Sequence, residues 1–264
     1  VLLQIICFVF VLMKPFGMDE GFASRLSFLL VGLWWFGFAQ ITFFRLPKSK
    51  INTSREVSVF NNGFTELRKV WRQLKMMPVL KRYLFSFFFY SMGVQTVMIA
   101  ATLFGSQVLN LSVTQLIVCI LIIQIVAIGG SYLMAKLSEK FGNIRVLSVV
   151  VIIWIGVCVM AYFIQTAIGF YIVATLVGIV MGGIQSLSRS TYSKLMPSTK
   201  DTASFFSFFD VSEKVAIVIG TFSFGFIQQL TGNMRYAILV LILFFIIGFF
   251  GLLYTRKIQR FHLS

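Results

Sequence analysis

Charge is what this sequence has little of. Only 12% of its 264 residues are Asp, Glu, Lys or Arg, about half of the ~25% usual in soluble domains, and eight acidic residues stand against 23 basic ones. With 58% hydrophobic residues, a water-soluble fold would have nowhere to put its apolar surface. The single histidine, His262, lies in a basic tail beyond the last apolar run. The three cysteines, Cys7, Cys119 and Cys158, sit inside apolar stretches with no CxxC or Cys/His spacing. These shortages argue against a metal site, a redox motif and a histidine-based triad, and the cysteines read as small apolar side chains. There is no GxxxxGK[ST] loop, no pair of catalytic aspartates and no nucleophile–base set, so neither an enzyme nor a cofactor is expected, and energy would have to come from a gradient or a partner.

What is present is a series of apolar runs, near 1–13, 24–44, 83–104, 114–135, 146–165, 167–194, 205–229 and 235–255. Roughly 18 or more apolar residues span about 30 Å of hydrocarbon as helix. The runs are too long for strands and lack the period-two alternation of a barrel, so the expected fold is an all-α membrane protein of about eight transmembrane helices. The first run is only 13 residues long, ends at Lys14 and Pro15, and lacks a signal peptide's basic leader. It reads as a helix cut short, belonging to a longer protein.

Basic residues alternate from loop to loop. One set of loops holds ten between Arg45 and Arg82, then Lys136, Lys140 and Arg145, then Arg189, Lys194 and Lys200, then Arg256, Lys257 and Arg260; the other holds only Lys14, Arg25 and Arg235. This positive-inside pattern places the C-terminus in the cytoplasm, with a bacterial cytoplasmic membrane as the expected location. The net charge of +15 is then explained by topology and by anionic membrane lipid, without nucleic acid as a partner. Residues 1–45 read as the last two helices of an incomplete N-terminal half, 46–82 as a basic cytoplasmic linker, and 83–264 as a six-helix half. Within the linker Phe64, Leu67, Trp71, Leu74 and Met77 recur at helical spacing, with Arg68, Lys69, Arg72 and Lys75 on other faces, as in a helix lying on the membrane surface. Such a helix can be a plain linker or a partner site.

Two helices, a long basic loop and a six-helix unit are what remains of a six-plus-six transporter whose first four helices are missing. The stretch Ala135-Lys-Leu-Ser-Glu139-Lys140-Phe-Gly142-Asn-Ile-Arg145 resembles the short loop signature of the major facilitator superfamily, with Ala135 in place of a glycine and Ile144 in place of a basic residue. Gly142 would permit a tight turn, while Glu139 and Lys140 could pair with helix ends. Tyr90-Ser-Met-Gly-Val-Gln95-Thr, Gly182-Gly-Ile-Gln185-Ser-Leu-Ser188-Arg189-Ser and Phe205-Phe-Ser-Phe-Phe-Asp210-Val-Ser-Glu213-Lys214 resemble the vacuole-effluxer-like branch of that superfamily, which includes fungal vacuolar amino-acid effluxers. Many of its members carry an acid where this sequence has Met92. The resemblance implies export of a small polar solute, with amino acids as a candidate class, by alternating access across the interface with the absent N-terminal helices. A signalling or scaffold protein that keeps a transporter fold is the alternative.

Polar residues inside the runs point to the same region. Charges near the bilayer centre cost at least ~2.5–3.5 kcal/mol on insertion scales, so Arg189, Asp210, Glu213 and Lys214 need partners or a wet cavity. Asp210 and Lys214 are spaced i, i+4, and Arg189 lies at similar depth on the preceding antiparallel span, within reach of Asp210 or Glu213. The cluster reads as a salt-bridge lock, as a gate that exchanges partners, or as the carrier of a coupling proton. Ser91, Gln95 and Thr102 fall within about 40° of one another on a helix. Together with Tyr90, Gln124 and Gln185, Ser91 and Gln95 are the candidate solute contacts. Gln185, Ser188, Arg189 and Tyr192 form a second stripe beside Gly178, Gly182 and Gly183, glycines that read as a helix-packing patch.

Overall fold

The structure, a computed structural model, describes residues 2–13, 17, 19–46, 59–197, 199 and 201–263. Lys14, Pro15, Lys200 and linker residues 47–58 therefore lie outside the described residues. Among the described residues there are nine helices and no strands: α1 (Leu2–Met13), α2 (Glu20–Arg45), α3 (Val59–Leu74), α4 (Pro78–Gln107), α5 (Val113–Phe141), α6 (Asn143–Phe163), α7 (Ala167–Leu195), α8 (Thr202–Thr231) and α9 (Met234–Leu263). All eight expected spans are helices. Six of them are long and apolar enough to cross a membrane; α1 is short, and α8 carries Asp210, Glu213 and Lys214.

The chain divides into two compact units, residues 1–58 and 59–264. In the first, α1 packs on α2, with the Ser27 hydroxyl of α2 reaching the Cys7 carbonyl of α1 at 3.5 Å and the Ala23 side chain fully buried. The second unit holds the six-helix bundle and also α3, so the linker helix belongs with the bundle.

Local chemistry sets the helix ends of the bundle. Pro78 occupies the first turn of α4, where a missing N–H costs nothing. Ser112 and Gln115 form a reciprocal capping box on α5, and the Thr166 hydroxyl accepts from the Gly169 N–H to cap α7. Gly142, at φ +86°, turns α5 directly into α6, a conformation that side-chain-bearing residues rarely adopt, so the expected tight turn is present. Glu139, Lys140 and Arg145 are exposed around it. Among the described residues neither Glu139 nor Lys140 has an ion-pair partner, and Lys140 lies over the Phe141 ring at 5.4 Å. At the opposite end, Arg235 donates to the carbonyls of Tyr162 and Ile164 at the C-terminus of α6. This cation on the sparsely basic face thus ties α9 to α6 through carbonyls the helix leaves unpaired.

Close backbone contact holds α5 against α7. A Cβ on Gly130 would lie 2.2 Å from the Ile179 carbonyl oxygen, one on Gly182 2.7 Å from the Ala127 carbonyl oxygen, and one on Gly183 2.4 Å from Met134 Cγ. The glycine patch is a packing surface, as its spacing suggests. Trp154 of α6 is fully buried and stacks on Phe245 of α9 at 5.7 Å.

The linker helix buries a face slightly rotated from the expected one. Val70 and Leu74 are buried, whereas Phe64 and Trp71 are exposed. Trp71 stacks on Phe208 of α8 at 6.1 Å, and Lys69 bridges Asp201 at 3.1 Å and Glu66 at 3.4 Å. The hydrogen bond to Asp201 holds the Lys69 ammonium above its ordinary value. The Ser204 hydroxyl, followed by Lys69, holds the Asp201 carboxyl below the usual carboxylate range. Both groups are well exposed, so these contacts orient α3 more than they stabilise it.

The glycine packing gives a sharp comparison. Gly130→Ala should destabilise the folded protein by about 1–3 kcal/mol through overpacking, while Gly129→Ala, whose Cβ meets nothing within 4 Å, should leave stability unchanged or slightly raised. Thermal unfolding in detergent micelles reads the difference, and equal shifts for the two variants would contradict the α5–α7 contact.

Candidate functional site

The polar side chains singled out in the sequence converge on one cavity of about 290 Å³ between α4, α7 and α8. Helix α4 contributes Tyr90, Ser91 and Gln95, α7 contributes Gln185, Ser188 and Arg189, and α8 contributes Glu213. Phe87, Val94, Ile184 and Phe209 supply apolar wall. The cavity residues of α7 and α8 lie roughly 9–17 Å along the helix axes from the ends that carry the basic loops, at 1.5 Å per residue.

Two charge contacts organise the cavity. The Gln95 amide donates to the Glu213 carboxylate at 2.7 Å, linking α4 to α8, and the Arg189 guanidinium donates to the Asp210 carboxylate at 2.8 Å, linking α7 to α8. Of the two partners the sequence allowed for Arg189, the structure selects Asp210. The expected Asp210–Lys214 pairing is not formed, because Asp210 turns toward Arg189, and Lys214 is exposed one turn further along α8. Glu213 has no cation within 4 Å among the described residues.

Behind the cavity lies a buried hydroxyl network. Ser188 Oγ donates to the Ile184 carbonyl at 2.5 Å, so it must accept from the Tyr90 hydroxyl 2.7 Å away. Tyr83 donates to the Ser188 carbonyl at 2.8 Å, which places the Tyr83 and Tyr90 oxygens 3.2 Å apart with both protons already committed. Aromatic stacking backs this wall, with Phe87 on Phe209 at 4.1 Å.

Not every expected residue joins the site. Gln124 on α5 is outside the cavity lining and has an interaction of its own, and Thr102, on the same stripe of α4 as Ser91 and Gln95, is exposed elsewhere. Tyr192 is fully buried and donates to the Phe205 carbonyl at 2.7 Å, a tie between α7 and α8 and not a cavity contact. Met92 is 3% exposed, its backbone lies against Gly220 of α8, and it is not among the residues that line the cavity. Tyr83 and the apolar wall, Phe87, Val94, Ile184 and Phe209, escaped the sequence reading because nothing separates them from ordinary core residues. A second, smaller cavity of about 70 Å³, lined by apolar side chains such as Val97, Phe104, Val157 and Phe224, offers a polar solute nothing to bond.

Comparison with known proteins bears on this arrangement. The family described as vacuole effluxer Atg22 like matches residues 1–260. The chain belongs to this family. It is 34% identical over 226 residues to an uncharacterized MFS-type transporter, YxiO, of Bacillus subtilis, covering 86% of this chain and 52% of that protein. It is 30% identical over 258 residues to autophagy-related protein 22 of Eremothecium gossypii, covering 90% of this chain and 50% of that protein, and 22% identical to the protein of the same name from Saccharomyces cerevisiae, covering 81% and 47%. The chain thus spans about half the length of the curated relatives it matches. The three segments that resemble the vacuole-effluxer-like branch, on α4, α7 and α8, are the ones that build the cavity.

The hydroxyl network can be tested directly. Tyr90→Phe and Ser188→Ala should each destabilise the protein, with an interaction energy between them of about 0.6 kcal/mol or more in a double-mutant cycle of unfolding in micelles. Strictly additive losses would contradict the hydrogen bond between them.

Proposed function

We propose that the protein is a secondary transporter that moves a small zwitterionic solute, an amino acid being the class the cavity suits best, with α4, α7 and α8 forming one side of the solute path. The observation that carries this reading is that opposite charges line one polar cavity: Arg189 can receive a carboxylate while Glu213 receives an ammonium, with Gln95, Gln185 and Ser91 as neutral hydrogen-bonding groups. Family membership and the name MFS-type transporter in a relative support transport as the activity.

A gate that exchanges partners is our assignment for Arg189 and Asp210: the pair joins α7 to α8, and Arg189 lines the cavity, where a solute carboxylate can take the place of Asp210. Glu213, held by an amide and by no cation among the described residues, is the carboxylate we assign to a coupling proton. We assign the C-terminus to the cytoplasm of a bacterial cell, a reading the alternation of basic loops supports through the positive-inside rule. The rest of the path would come from helices of the full-length protein beyond this chain.

Flux of a mixed amino-acid panel into proteoliposomes holding the full-length protein, under a proton gradient, tests the reading. Wild type should transport at least one solute, and Arg189→Ala and Glu213→Gln should each slow it about ten- to a hundredfold, the weight of a lost charged hydrogen bond of ~1.5–3 kcal/mol. Unaltered flux in both folded variants would return the cluster to a structural role. A wild type inactive on the whole panel would overturn the solute assignment and favour a scaffold that keeps a transporter fold.

A further inference from the structure

A trough of about 580 Å³ runs between α4 and α9 on the outer surface of the bundle, away from the solute cavity. Its walls are Phe85 on α4 and Ile246, Ile247 and Phe250 on α9, and Phe85 and Phe250 are 54% and 62% exposed. The two helices meet tightly beneath it: a Cβ on Gly251 would come within 2.4 Å of Ser86 Oγ, and one on Gly248 within 2.9 Å of the Tyr90 backbone nitrogen. Large side chains flanking a close helix crossing leave a groove between them.

The end of the trough is charged. Lys81 and Arg82 sit in the opening turns of α4, about one helical turn from Phe85 and on the side of the basic loops. The Arg82 guanidinium lies over the Tyr254 ring at 4.4 Å, which holds it at the mouth of the trough, and Lys81 is exposed. Among the described residues no carboxylate comes within 4 Å of either cation. The first-turn N–H groups of α4 add positive potential at the same place. Two unneutralised cations at headgroup depth above an apolar groove match one occupant: a molecule with an anionic head and a hydrocarbon tail.

We propose that the α4–α9 trough binds an anionic phospholipid of the leaflet facing the basic loops, with its phosphate on Lys81 and Arg82 and an acyl chain along Phe85, Ile247 and Phe250. The site is independent of the solute reading, because none of its residues lines the solute cavity. A lipid seated here bridges the first and last helices of the six-helix bundle. It therefore braces α4, which also carries Tyr90 and Gln95, from its outer side.

Native mass spectrometry of the full-length protein, released from micelles doped with equal phosphatidylglycerol and phosphatidylcholine, tests this. Wild type should retain phosphatidylglycerol in preference, and the pair Lys81→Gln with Arg82→Gln should lower that preference on the order of tenfold, as expected when two headgroup-level cations are lost. The charge-keeping pair Lys81→Arg with Arg82→Lys should retain it, and Lys136→Gln with Lys140→Gln, basic residues elsewhere on the same face, should leave it unchanged. Equal retention of the two lipids by wild type, or the same preference in the Gln pair at positions 81 and 82, would overturn the proposal.

Discussion

A carboxylate or guanidinium surrounded by hydrocarbon costs at least ~2.5–3.5 kcal/mol on insertion scales, so a bundle that carries Arg189, Asp210 and Glu213 inside its spans must bring them together or give them water. The structure brings them together. Arg189 meets Asp210, Gln95 meets Glu213, and all but Asp210 line a single cavity on α4, α7 and α8. The rest of the architecture follows from keeping these three helices in register. Glycines let α5 lie against α7, the Trp154–Phe245 stack joins α6 to α9, and the tyrosine hydroxyls of α4 are fixed on Ser188 of α7.

The same arrangement explains how the site can be both stable and changeable. Its back wall is buried and hydrogen-bonded, with Tyr83, Tyr90 and Ser188 sharing a closed set of protons. Its charged front consists of one ion pair, Arg189–Asp210, and one amide contact, Gln95–Glu213. In the proposed transport cycle a solute offering an ammonium and a carboxylate would replace the internal partners of Arg189 and Glu213 without leaving either charge bare. Helix α3 meets α8 through Lys69 at Asp201, two to three turns before Asp210, and through Trp71 at Phe208, two residues before Asp210, so the linker helix and the charged helix are parts of one unit.

Much of this was legible in the residues. Apolar run lengths pointed to the all-α membrane class; the polar stripes named Ser91, Gln95, Gln185 and Arg189, the charge cluster Glu213 and the family-like segment Tyr90, all of which line the cavity. The readings that missed did so for identifiable reasons. Helical spacing cannot choose between two partners at similar depth, so Asp210 was given both Lys214 and Arg189, and side-chain direction decided for Arg189. Gln124 lies near the middle of its span, but depth does not report which neighbour a face meets. The burial of Tyr83 and Tyr192 depends on which helices pack together, information that one sequence does not contain.

The central claim is that a water-accessible polar path runs along α4, α7 and α8. Single cysteines in the full-length protein, in a background with Cys7, Cys119 and Cys158 replaced, test it most directly. Labelling with a membrane-impermeant thiol reagent should modify Gln185→Cys and Gln95→Cys, with protection by a transported amino acid, while Ile152→Cys on the exposed apolar face of α6 stays unlabelled. If Gln185→Cys and Gln95→Cys were as inert as Ile152→Cys from both sides of the membrane, the cavity would be a sealed packing defect and the account of a solute path would be contradicted.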